Sequence, residues 1–160
     1  MGNPEERVTV SGQYQLPLER HQVWGRINDP STLQQCIKGC DLVRRNADGS
    51  FEAIFRFRMG PFSRQITATM EVEPLSPPAH YQLRSILNSS RIGQASGHAN
   101  VQLETRDRGT LLCYQAEIAV SGWFARLGSN FTRTAADRYM QGFFATFVAL
   151  ASSGDGEELR

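Results

Sequence analysis

The sequence predicts one α+β domain: a curved, seven-stranded antiparallel sheet wrapped around a long C-terminal helix, with two short helices between the first two strands. Three observations predict it. An apolar–polar pattern of period two runs from Asp41 to Ser121, a proline-free segment with helical periodicity runs from Trp123 to Leu150, and two short helical segments with their own start and stop signals precede both. A length of 160 residues suits a single domain with a core of ordinary size. The domain is expected over residues 1–151, with a short polar tail over 152–160.

The elements follow in order. Residues 7–15 alternate weakly and read as a strand that Leu16-Pro17-Leu18 ends. Glu19 opens a short helix whose apolar face is Val23, Trp24 and Ile27. Asn28-Asp29-Pro30 stops it and starts a second, with Asp29 as N-cap and Pro30 at the first helical position; Gly39 ends that one. Turn signals then cut the chain into six strands. Asp48-Gly49 joins Asp41–Asn46 to Phe51–Met59, and Gly60-Pro61-Phe62 leads into Arg64–Glu73. The run from Pro74 to Pro78 precedes Tyr81–Leu87, Asn88-Ser89-Ser90 is the next turn, and Asp107-Arg108-Gly109 divides the last long pair. Ser121 is the expected N-cap of the long helix, on which Phe124, Leu127, Phe131, Ala135, Tyr139, Phe143, Phe147 and Leu150 recur at spacings of three and four. Unbroken, that helix is roughly 40 Å long at about 1.5 Å per residue.

Composition excludes several classes. Hydrophobic residues are 40% and charged residues 21%, which is globular, and a net charge of +1 gives no field to attract nucleic acid. Sixteen of seventeen basic residues are arginine, a bias that points to a GC-rich bacterial genome. The opening residues lack the basic-then-apolar order of a secretory signal, and the longest apolar stretch, Gly142 to Ala151, is about half a membrane span. A cytoplasmic protein is expected. Cys36, Cys40 and Cys113 are an odd set without a disulfide pattern, and His21, His80 and His98 are scattered, so neither a metal site nor a cofactor is expected.

Three stretches resemble the CoxG family of carbon monoxide dehydrogenase proteins, a member of the START-like, or helix-grip, superfamily (SRPBCC). The first is Val23-Trp24, then Asn28-Asp29-Pro30, then Cys36-Ile37-Lys38-Gly39-Cys40. The second is Gly60-Pro61-Phe62 with the following strand, Pro77-Pro78 and Tyr81. The third is Leu127-Gly128-Ser129 with Phe143-Phe144. Lys38 stands where the family usually has proline, and only about ten polar residues follow the domain where larger members carry a tail that binds membrane. The resemblance implies a helix-grip fold and a non-enzymatic accessory protein acting beside a molybdenum hydroxylase. Its implied ligand is an apolar, lipid-like or quinone-like molecule held between sheet and helix. Assembly or membrane recruitment through the surface alone is the alternative, with a place at the inner face of the membrane; a small cyclase or hydrolase is the third reading.

Alternation supplies a lining for such a cavity. From the sheet come Phe55, Phe57, Met59, Ile66, Met70, Leu83, Ala99, Tyr114 and Ala116, from the helix Phe124, Leu127 and Phe131, and Trp24 closes one side. Taken singly, the same residues are more often dry core than pocket lining. Gly93, Ala95, Gly97 and Ala99 share one strand face, where small side chains either make room or permit curvature. No catalytic set is implied by spacing: Tyr114 is assigned to the inner face, whereas Glu104, Glu117 and His98 fall outside. Its hydroxyl suits a carbonyl or quinone oxygen as well as a backbone partner. Arg56, Arg58 and Arg64 surround Phe62 at a hairpin tip that suits either an anionic membrane, an acidic partner or plain solvent.

Overall fold

A computed structural model describes residues 5–89 and 93–158, apart from the side chains of residues 57–59, 62, 64, 89 and 152–158. The first strand, β1 (Glu5–Leu16), buries Val8, Val10 and Leu16 on one face, the alternation its sequence carries. Two short helices follow, α1 (Arg20–Ile27) and α2 (Pro30–Cys36). Glu19 caps α1 in a capping box with Gln22, whose Oε1 accepts from the Glu19 N–H at 3.1 Å. Asp29 caps α2 by accepting from the Thr32 N–H at 3.1 Å, with Pro30 at its first position.

Six further strands complete one sheet: β2 (Cys40–Arg45), β3 (Phe51–Met59), β4 (Phe62–Ser76), β5 (His80–Ser89), β6 (Gly93–Arg106) and β7 (Gly109–Ser121). All pairings are antiparallel, and the spatial order is β1-β7-β6-β5-β4-β3-β2. The first strand thus lies beside the last. Thr110, fully buried, ties the start of β7 to the loop before α1 by donating to the Leu18 carbonyl at 2.7 Å.

Several strand ends lie one to three residues from the expected positions, and those of β4 and β5 extend into expected turns. β4 runs on through Pro74 and Leu75 to Ser76, because an irregular step between Pro74 and Ser76 lets pairing with β5 continue past the proline. β5 includes Asn88 and Ser89, so those residues are strand and not turn, while Ser90 lies outside the described residues. The β6–β7 turn falls where expected: Asp107 and Arg108 both take positive φ (50° and 66°), the conformation that matches a tight hairpin to strand twist. Gly109 must be glycine there, since a Cβ would meet the Leu16 carbonyl oxygen at 2.2 Å.

The C-terminal segment is the main correction. It is not one unbroken helix capped by Ser121. A single turn, α3 (Trp123–Arg126), starts after Gly122, the chain breaks at Gly128 with φ of +89°, and α4 (Ser129–Glu158) begins anew. Within α4 the expected stripe advances mostly in steps of four, each of which drifts by about 40° around a helix of 3.6 residues per turn, so it cannot hold one face from Phe131 to Phe147. Phe131, 55% exposed, and Ala135 face outward, Tyr139, 42% exposed, sits at the boundary and reaches the space under the helix, and the buried face is carried by Ala136, Met140, Phe143, Phe144, Phe147, Val148 and Ala151. The backbone also remains helical through Glu158, beyond the start expected for a polar tail. No described helix is long and apolar enough to cross a membrane.

Candidate functional site

α4 makes its close approaches to β1 and to α2, and α2 in turn packs on β2, at the far edge of the sheet. The helix therefore rests on both margins of the concave face. The contacts at those margins are bulky: Tyr14 of β1 stacks on Phe144 at 4.3 Å between ring centroids, and Phe143 and Phe147 continue the aromatic row. In the middle the facing side chains are small. β5 offers Ser85, β6 Gly97 and Ala99, β7 Ala116, and α4 Ala136. Bulk at the margins and small residues at the centre leave a cavity of about 360 Å³.

Gly97 shows that the space is not a by-product of backbone demands. A Cβ there would meet nothing within 4 Å, and its φ is not positive. Of the two roles weighed for the small-residue face, room is the one the geometry supports at Gly97. The rest of the wall is almost entirely carbon: Val10, Phe51, Met70, Val72, Leu83, Val101, Leu112 and Ile118 from the sheet, Ile27, Leu33 and Ile37 from the α1–α2 region, and Met140, Phe143 and Phe144 from α4. Arg84 and His98, paired across β5 and β6 and both exposed, also border it.

Of the residues expected to line such a space, Met70, Leu83, Ala99, Tyr114 and Ala116 do so. The others are placed elsewhere. Phe124 and Leu127 belong to the turn before the Gly128 break and Phe131 points out, so none of the three borders the cavity. Trp24 packs edge-on against Tyr81 at 4.9 Å, behind the wall. Phe55 joins the smaller cluster under α2, and Ile66 is 5% exposed in packed surroundings, both away from the cavity. The side chains of Phe57, Met59, Arg58, Phe62 and Arg64 lie outside those described. Ala136, Met140, Phe143 and Phe144 were the missed helix residues. The signal was the spacing itself: Ala136, Met140, Phe143, Phe147 and Ala151 mix steps of four and three and so hold one face, which a run of four-residue steps from Phe131 does not.

Tyrosines bring hydroxyls to this wall: Tyr81, Tyr114 and, from α4, Tyr139, whose ionisation burial raises strongly, border it, and Tyr14 stands beside Tyr114. Tyr114 crosses over Gly12 so closely that a Cβ on Gly12 would meet its Cε1 at 2.8 Å and its hydroxyl at 3.0 Å. Its hydroxyl hydrogen-bonds Tyr14, and burial, the Tyr14 hydroxyl and the Asp137 charge together push its ionisation up to about 12. Burial raises Tyr14 as well, so both are neutral phenols at ordinary pH. The partner is thus a side chain, and Tyr14 joins Tyr114 on the inner face. Tyr81, 1% exposed, has a buried hydroxyl with no hydrogen-bond partner among the described residues, and burial raises its ionisation strongly. Cys36 is buried and its thiol is pushed up to about 11 by loss of solvent, while Cys40 is raised by the same cause. Among the described residues no three His, Cys, Asp or Glu gather as metal ligands. A second hollow, bordered by Arg20, Ala79, His80, Gln102 and Glu104, is wide open to solvent and collects no buried polar set.

Residues 12–152 match the model of the carbon monoxide dehydrogenase family described as CoxG. Among solved structures, a conserved protein from Geobacillus kaustophilus aligns with 23% identity and a TM-score of 0.81, covering 91% of this chain and 96% of its own. A protein of unknown function from Staphylococcus aureus aligns with 11% identity and a TM-score of 0.68, over 95% and 98%. A Rhizobium loti protein gives 14%, 0.65, 91% and 98%. At these identities the likenesses establish the helix-grip fold and nothing finer. No curated protein matches the chain.

Proposed function

We propose, for a chain that belongs to the CoxG family of carbon monoxide dehydrogenase proteins, that it is a non-enzymatic accessory protein of a carbon monoxide dehydrogenase-type molybdenum hydroxylase and carries one apolar, lipid-like or quinone-like molecule under α4. The observation that carries this reading is the cavity of about 360 Å³ with its carbon lining. Ligand sites commonly measure roughly 300–1,000 Å³ and are mostly apolar with a few polar groups. Transfer of about 400 Å² of apolar ligand surface from water contributes roughly 10 kcal/mol before association costs, enough for micromolar binding.

The reading assigns no bond-making step. The inward polar atoms are phenols held neutral by burial, and Tyr114 already has Tyr14 as a hydrogen-bond partner. A phenol of that kind orients a carbonyl oxygen by donating to it, and the Tyr14–Tyr114 pair holds one donor more than it uses between its own two oxygens. Met70, Leu83, Ala99, Tyr114 and Ala116, with Ala136 and Met140, are the proposed contacts. Native mass spectrometry and solvent extraction of the purified protein test the reading. A one-to-one apolar molecule is expected, displaced when Ala116→Leu narrows the cavity. Protein that never carries or takes up such a molecule, lipids and quinones included, rejects it.

A further inference from the structure

The strand registers set the inward residues of the sheet in rows. Tyr81 of β5, Val101 of β6 and Tyr114 of β7 lie side by side in one row, and Met70, Ser85, Gly97 and Ile118 form another. Tyr81 and Ser85 are four residues apart on one strand, about 13 Å at 3.3 Å per residue, with Leu83 between them. The floor of the cavity thus carries hydroxyls at both ends and hydrocarbon in the middle. The roof supplies one more. Tyr139 of α4 borders the space and stands over the junction of α2 with β2, near enough to Cys36 and Cys40 to interact with them electrostatically. It is 42% exposed, yet loss of solvent raises its ionisation strongly, because the side chain spans from the rim to the space beneath the helix.

These hydroxyls are not equally free. Tyr114 is bonded to Tyr14, and the hydroxyl of Tyr81 is sealed within the wall. Tyr139 is accessible and its hydroxyl has no hydrogen-bond partner among the described residues. Ser85 is partly accessible too, but an aliphatic hydroxyl is a weaker donor than a phenol and holds the less dehydrated position. Among the described residues no cation joins them. Arg84 and His98 border the cavity from strand positions one residue off the inward set, so their side chains alternate to the convex face, and both are exposed. The charge felt at Tyr14 and Tyr114 is that of a carboxylate, Asp137. An anion placed in this space loses its water and finds no counter-ion.

We infer that Tyr139 selects the cargo by its polar group: the phenol donates to a neutral acceptor, a ketone, ester or ether oxygen, and the cavity disfavours the ionised carboxylate of a free fatty acid. The inference rests on the carrier reading and narrows it. A phenol donates to a carboxylate as well, but one hydrogen bond does not replace the hydration that an ion gives up where no cation pairs with it. A neutral oxygen gives up far less on entry and meets a donor that is otherwise left without a partner. Tyr139 is therefore a specificity residue on the roof, distinct from the packing residues of the floor, and its hydroxyl matters only for molecules that bring an acceptor.

Displacement of the neutral fluorophore phenylnaphthylamine from extracted protein tests the inference, with methyl dodecanoate, dodecanoate and dodecane as competitors at neutral pH. The ester is expected to bind at least about tenfold more tightly than the carboxylate. Tyr139→Phe should weaken the ester roughly fivefold and leave dodecane unchanged, at unchanged Tm, because only a hydroxyl is lost. A carboxylate that competes as well as the ester overturns the inference. So does a Tyr139→Phe protein that holds the ester as tightly as the wild type, or one that loses ester and dodecane alike, since the ring then acts by packing alone. The two readings fail separately. If the fluorophore and all three competitors stay out, the carrier reading falls and takes this inference with it; if all three enter alike, the carrier stands and selection by Tyr139 is removed.

Discussion

Ala99→Phe puts an aromatic ring where the cavity is bounded by small side chains, since Ala99 pairs with Leu83 on one side and Ala116 on the other. The added side chain brings roughly 100 Å³ of close-packed volume, over a quarter of the space of about 360 Å³. Two opposite stability changes separate a hollow from a packed interior. Filling that much void at about 24 cal/mol per Å³ stabilises by about 2 kcal/mol, which raises Tm by about 5 °C in a domain of this size. Forcing the ring into a solid core costs about 1–3 kcal/mol and lowers Tm comparably. Binding moves the other way: losing roughly 100 Å² of ligand contact weakens affinity by about 2.5 kcal/mol, near seventyfold. The assay is scanning calorimetry of extracted protein, together with titration of a fluorescent fatty acid or quinone analogue. A lower Tm with undiminished uptake would refute the reasoning, because it would mean that the ring found no room and that ligand binds elsewhere.

Three further outcomes follow from particular contacts. Gly12→Ala drives a methyl into the Tyr114 ring, which it would meet at 2.8 Å, and should cost about 1–3 kcal/mol in denaturant midpoint; Tyr114→Ala in the same background should recover part of the loss, and an absence of coupling would show that the ring is not held there. Tyr81→Phe removes a buried hydroxyl that has no partner among the described residues, so the extracted protein should hold or gain up to about 1 kcal/mol; a clear loss of stability would reveal an interaction of that oxygen. Cys36, with its thiol pushed up to about 11 by burial, stays protonated at pH 8 and should react slowest of the three cysteines with a maleimide. Its protection should fall only as pH approaches that value or on unfolding, and mass mapping of the modified peptides checks it.

The fold was legible because its signals are local and redundant. The Asp29 cap, the Asp48-Gly49 hairpin and the two-residue alternation of Phe51 and Ala53 each point to the same element the chain adopts. The candidate site was legible on the sheet side alone. Strand alternation has a period of two, so Leu83, Ala99 and Tyr114 keep their face whatever the ends do. A helix turns by about 100° per residue, so each step of four overshoots a full turn by about 40°, and Phe131 and Phe147, four such steps apart, end on nearly opposite faces. Trp24 and Ile66 failed for another reason: alternation and periodicity say inward, but not whether the inward neighbour is a void or another side chain.

The adjacency of β1 and β7 has a consequence for how the chain is made. Glu5 finds its partner, Ser121, more than a hundred residues later, and even the nearest pairing of β1, Leu16 with Thr110, spans over ninety. As the polypeptide emerges from the ribosome, the meander from β2 to β6 has nearest neighbours to zip with, while the leading strand waits unpaired. Closing so long a loop slows folding and exposes a bare edge in the interval. Synthesis is therefore nearly finished before the sheet's last seam can be stitched, and truncation before Gly109 leaves a first strand with nothing to join.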